Sequence, residues 1–159
     1  MNKVLVIGYG NSLAGDDAFG FYAAQKLVGL ELPEYVAVKY IHQLMPEHAE
    51  EIAEYDLLIC IDAEVSGNLG ELRCRLINTD DLHDTGTAAH EYTLESILLL
   101  ARQLYGKLPE VHLITVSGKN FLTSDRLSPE VEIRIPDVIE NVFSIINTKK
   151  HLLGLPVIM

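Results

Sequence analysis

The residues best suited to chemistry in this chain are Asp16 and Asp17, Asp62, and His90. Asp16 and Asp17 close a glycine-rich segment, Gly8-Tyr9-Gly10-Asn11-Ser12-Leu13-Ala14-Gly15, that follows the apolar run Val4-Leu5-Val6-Ile7. An acid at a helix start can accept backbone N–H bonds as an N-cap. It also gains ~0.3–1 kcal/mol from the helix dipole. Capping needs one acid. Asp16 fits that role, so Asp17 is the surplus: either a cation ligand or a plain first-turn acid. Asp62 ends Leu57-Leu58-Ile59-Cys60-Ile61. A carboxylate there is costly unless it is paired or liganded, or turns back onto N–H groups near Ala63. His90 stands ahead of a leucine-rich segment. It can face the same strand edge or simply occupy a helix end. Two carboxylates and one imidazole would suit a borderline divalent ion such as Zn²⁺ or Ni²⁺, with positions open for water or substrate.

The elements that must bring these residues together follow from hydropathy patterning. Short apolar runs at 4–7, 36–41, 57–61 and 111–116 predict strands, the continuous ones buried on both faces. Residues 71–76 alternate, Glu71-Leu72-Arg73-Cys74-Arg75-Leu76, which predicts an antiparallel or edge strand with one wet face. Helical spacing predicts helices at 18–28, 46–54 and 91–105. A further helix starts at Ser128-Pro129 and restarts at Pro136. The apolar tail from Leu152 is expected to pack back. Strands alternating with helices give a three-layer α/β sandwich, a mostly parallel sheet with helices on both faces and one antiparallel strand. Ligands in such folds sit beyond the carboxyl ends of the strands, which directs attention to 8–17, 62–67, 78–90 and 117–127.

Composition narrows the function. The 159 residues carry 12 Lys and Arg against 23 Asp and Glu, a formal charge of −11. That balance excludes nucleic-acid backbones and anionic membranes as partners. The length suits one domain spanning 1–159. No targeting signal or membrane span is legible, so a cytoplasmic protein is expected. The two cysteines, Cys60 and Cys74, form no CxxC pair and read as reduced core thiols.

Several motifs fail on inspection. Gly8-x-Gly10 lacks the third glycine of a dinucleotide fingerprint, and two acids stand where a pyrophosphate would bind. His90-Glu91-Tyr92-Thr93-Leu94 starts like HExxH, but Leu94 replaces the second histidine. Asp84-Thr85-Gly86-Thr87 matches an aspartic-protease tetrapeptide but follows a polar stretch, and reads as a turn. The other five histidines, His42, His48, His83, His112 and His151, have ordinary settings in strands, a helix face, a loop and the tail.

Residues 4–20, Val-Leu-Val-Ile-Gly-Tyr-Gly-Asn-Ser-Leu-Ala-Gly-Asp-Asp-Ala-Phe-Gly, resemble the opening of the nickel-iron hydrogenase maturation proteases: an apolar strand, G-x-G-N-x-L-x-x-D-[DE]-x-x-G, then a helix. The likeness continues through Leu57–Ala63, His90, Leu127-Ser128-Pro129-Glu130-Val131 and Ile135-Pro136, covering nearly the whole chain in order. It implies a twisted five-stranded sheet. It also implies an endopeptidase that removes the C-terminal extension of a hydrogenase large-subunit precursor after nickel insertion. The family's metal-contacting and catalytic positions fall on Asp17, Asp62 and His90, with nickel presented by the substrate. The first is often Glu in the family, and the glycine after the acid pair is Ala18 here. The implied partner is the precursor, and a monomer is expected. Two other readings share these residues: a non-catalytic nickel-checking chaperone, and a nucleotide-binding α/β protein using the Gly8–Gly15 loop.

Overall fold

The expected strands form, and they run longer at the ends that matter. The computed structural model describes residues 3–83, 92–151 and 153–155. In it β1 (Val4–Tyr9), β2 (Val36–Ile41), β3 (Leu57–Glu64), β4 (Leu72–Leu76) and β5 (Glu110–Ser117) form one sheet in the order β2-β1-β3-β5-β4. The three pairings among β2, β1, β3 and β5 are parallel; β4 is antiparallel to β5 and lies at the edge. The helices are α1 (Phe19–Val28), α2 (His48–Ala53), α3 (Leu94–Tyr105), α4 (Pro129–Glu132) and α5 (Ile135–Lys149). No helix among the described residues is long and apolar enough to cross a membrane.

Strand periodicity of two splits the core into two apolar layers. Val4, Val6, Leu57, Ile59 and Ile61 point to one face, where they meet Phe19, Ala23 and Leu27 of α1 and Val138, Val142 and Ile146 of α5. Leu5, Ile7, Leu58 and Cys60 point to the other, against Ala49 and Ile52 of α2 and Ile97, Leu98 and Ala101 of α3. Both faces being covered explains why these strands read as continuous apolar runs. Leu153 of the tail is buried against the first layer, while residues 152 and 156–159 lie outside the described part.

Glycines bring α1 unusually close to the sheet. A Cβ on Gly20 would lie 2.0 Å from the carbonyl oxygen of Ile61 and 2.7 Å from that of Tyr9. A Cβ on Gly8 would lie 1.9 Å from the carbonyl oxygen of Gly20. Gly8 and Gly20 therefore serve backbone-on-backbone packing of α1 on the sheet.

Three details differ from the sequence expectations. Residue Asp16 is not an N-cap: it lies in a 3-10 turn (Gly15–Ala18), and α1 follows from Ala18 without a side-chain cap. Helix α3 starts at Leu94, three residues later than expected. Cys60 is buried as expected but Cys74 is exposed, because the edge strand β4 leaves its outer half uncovered; Leu76 on that strand is also exposed.

Candidate functional site

The sheet order locates the site. After β1 the chain moves outward to β2, and after β3 it moves the other way, past β5 to β4. The connections diverge between the carboxyl ends of β1 and β3, and a crevice opens there. Asp17 follows β1, and Asp62 stands near the end of β3. Both line one cleft of about 420 Å³, together with Tyr9, Asn11, His42 and Gln43.

Each carboxylate is held by a single backbone N–H. Asp17 Oδ2 accepts from Asn11 N–H at 2.8 Å, and the Asn11 side chain accepts from Leu13 N–H at 2.9 Å, shaping the loop that presents Asp17. Asp62 Oδ1 accepts from Ala63 N–H at 2.8 Å. Neither acid has a basic partner among the described residues. The contrast with Glu64, two residues on, is instructive. Glu64 is met by Arg73 and Arg75 of β4, each at 3.4 Å, and by the Thr115 hydroxyl at 3.2 Å.

The electrostatics follow from that difference. Burial pushes the Asp62 carboxyl up to about 7, against the Ala63 hydrogen bond and helped by the negative charges of Asp17 and Glu64. Burial and the Asp62 charge also hold the Tyr9 phenol well above its ordinary value, so it stays protonated beside the acid. The Cys60 thiol is pushed up by burial and then by Asp62, which leaves it unreactive.

Asp16 does something the sequence did not suggest. It is fully buried and its carboxylate accepts four hydrogen bonds: from the N–H groups of Lys119, Asn120 and Ser128, and from the Ser128 hydroxyl, at 2.7–3.1 Å. The backbone adds Gly15 N–H to Ser124, Asp16 N–H to Asn120 and Ser124 N–H to Leu13. The 118–128 loop is thereby sewn to the loop that carries Asp17. Burial alone would raise the Asp16 carboxyl; these donors outweigh it and hold the group below 3.8.

His90 and the Asp84-Thr85-Gly86-Thr87 turn lie outside the described residues. Among the described residues no three His, Cys, Asp or Glu side chains are grouped closely enough to hold a metal ion. One histidine that sequence reasoning passed over does line the cleft. His42 follows β2 and its ring lies 5.2 Å from that of Phe21. Its position at the end of a parallel strand was the available signal. The far wall is Tyr92 and Thr93 at the start of α3. Thr93 caps that helix in a reciprocal box: its hydroxyl accepts from Ser96 N–H at 3.1 Å, and Ser96 Oγ accepts from Thr93 N–H at 2.9 Å. Thr93→Ala is expected to cost about 1 kcal/mol in a urea melt.

The same fold recurs in known proteins. No family model matches the chain. A Methanocaldococcus jannaschii protein named as a hydrogenase maturation protease is 30% identical over 151 residues, covering 86% of this chain and 92% of that one. The crystal structure of a hydrogenase 2 maturation peptidase from Thaumarchaeota archaeon SCGC_AB-539-E09 superposes with a TM-score of 0.70 at 29% identity, covering 91% of this chain and 98% of that one. The hydrogenase maturating endopeptidase HybD of Escherichia coli gives a TM-score of 0.78 at 25% identity, covering 92% and 93%. With this likeness extending over most of both chains, and with the open five-stranded sheet shared, the chain belongs to the hydrogenase maturation protease family of hydrolases.

Proposed function

We propose that this protein removes the C-terminal extension from the precursor of a nickel-iron hydrogenase large subunit once nickel has been inserted. The observation that carries the reading is the pairing of Asp17 and Asp62 in one cleft with no basic partner among the described residues. Two such acids are costly in the free protein, and a substrate that brings a divalent ion relieves that cost. In this reading Asp17, Asp62 and His90 complete the coordination of the nickel held by the precursor, with His90 assigned by family likeness. The metal is part of the substrate and would polarise the scissile carbonyl or activate water. Burial raises the Asp62 carboxyl in the free protein, and the arriving cation favours its ionised, coordinating form.

The experiment is to mix the purified protein with nickel-loaded and nickel-free precursor and follow the loss of mass. Nickel-loaded precursor should shorten and nickel-free precursor should persist. Asp17→Ala, Asp62→Ala and His90→Ala should each lower the rate by about 10²-fold or more. Processing that ignores nickel or survives all three substitutions refutes the reading. A stable complex that yields no product points instead to a chaperone that inspects nickel without cutting.

A further inference from the structure

A second cleft of about 420 Å³ adjoins the first and shares four of its walls, Tyr9, Asp62, Tyr92 and Thr93. Asp62 therefore stands where the two clefts meet. Their chemistry differs. The first offers Asp17, Asn11, His42 and Gln43. The second has an apolar floor of Ile77, Leu94 and Leu113, with Arg75 and Glu95 at its rim. The floor residues belong to the second apolar layer of the core, so the cleft is a place where that layer surfaces beside the site. It reaches β4, the sheet edge, where a bound chain can continue outward. Arg75 is half exposed and meets Glu64 only at 3.4 Å, a carboxylate it shares with Arg73. Its guanidinium keeps donors for the carbonyl groups of a passing chain.

We infer that this second cleft is the subsite for the part of the substrate that is released: the segment immediately C-terminal to the cut bond enters it with a large apolar side chain. The inference rests on the endopeptidase reading above and names the partner segment of the same site. The nickel-bearing side of the precursor occupies the first cleft, where Asp17 and Asp62 line the wall with no Lys or Arg among the lining residues, whereas in the second Asp62 and Glu95 are accompanied by Arg75. The chain crosses at Asp62, the released residue packs on Ile77, Leu94 and Leu113, and Arg75 meets its backbone. Arg75 and the apolar floor make the second cleft a poor seat for a cation, and an exposed aliphatic side chain gains from it through burial.

The test uses a nickel-loaded precursor with Leu, Phe, Ala or Asp placed at the first residue after the scissile bond, and reads kcat/KM. The wild type should prefer Leu over Asp by about tenfold or more. Ile77→Asp should collapse or invert that ratio, and Leu113→Ala should move the optimum from Leu towards Phe. A ratio measured within one variant does not depend on the fraction that is folded. Cutting with a flat profile, or a Leu-to-Asp ratio untouched in both variants, overturns the subsite while leaving the endopeptidase reading intact. A wild type that cuts no nickel-loaded precursor refutes that reading, and the inference with it.

Discussion

Asp62→Asn is expected to be more stable than the wild-type protein at pH 8, and to have lost its processing activity. The carboxyl of Asp62 titrates near 7 in the folded chain against an ordinary value of 3.8. The folded state therefore binds the proton more tightly than the unfolded state. Stability contributed by that proton is present at low pH and is lost as pH rises from about 4 through 7. Above pH 7 the wild type carries a buried charge whose penalty is on the order of 4 kcal/mol at 1.36 kcal/mol per pH unit. Water entering the open cleft reduces this, so the amide should gain ~2–4 kcal/mol at pH 8 and nothing below pH 4. Asn keeps the shape and an oxygen for the Ala63 N–H, which isolates the charge as the cause. Urea melts at pH 4, 6 and 8 read the difference directly. Equal stability at pH 8 would mean that the carboxylate is already neutralised in the free protein.

Asp16→Ala acts in the opposite direction. It removes one acceptor and leaves the N–H groups of Lys119, Asn120 and Ser128 and the Ser128 hydroxyl without their partner in a buried place. Each orphaned donor costs about 1–3 kcal/mol, and relaxation of the loop recovers part of the sum. We expect a loss of about 3–5 kcal/mol, comparable to breaking a buried pair. For a chain of this size that is roughly a 10 °C fall in Tm. The pH signature is also distinct. The carboxyl is held below its ordinary value of 3.8, so its contribution is complete above that pH and fades as pH falls through the folded value. Calorimetry gives the size of the effect, and limited proteolysis within 118–128 shows where the structure opens. Cleavage elsewhere first would mean that Asp16 holds something other than that loop.

The two acids side by side show what was legible in the sequence and what was not. The place of Asp62 in the cleft is legible because its setting is local: a carboxylate after an apolar run is anomalous whatever surrounds it. Asp17 stands out in the sequence as the acid left over once one cap is filled, but Asp16 is not that cap. The neighbour Asp16 is spoken for, but by groups 103, 104 and 112 residues away, a pairing that local spacing cannot reveal. The buried strands were readable because both faces of the sheet are covered, which writes itself as unbroken apolar runs. The edge strand β4 misleads in part: Cys74 and Leu76 alternate like an inward face, yet both are exposed. The start of α3 moved because Thr93 and Ser96 form a reciprocal cap, whereas the usual signature has Glu or Gln at the position of Ser96. His42 looked ordinary at the end of β2, and only the sheet order brings that end beside Asp17 and Asp62.

The contact between Gly20 and the carbonyl of Ile61 has a consequence for how this protein can diverge. Gly20 sits two residues beyond Ala18 on the segment that carries Asp17, and Ile61 directly precedes Asp62. The segments that carry the two acids are thus spaced by main chain against main chain. Aliphatic residues elsewhere in the layers can be exchanged, and the core can drift over generations, without retuning the gap that a metal-bearing substrate must fit. Such a lineage would tolerate extensive rewriting of its interior while holding Gly8 and Gly20 constant.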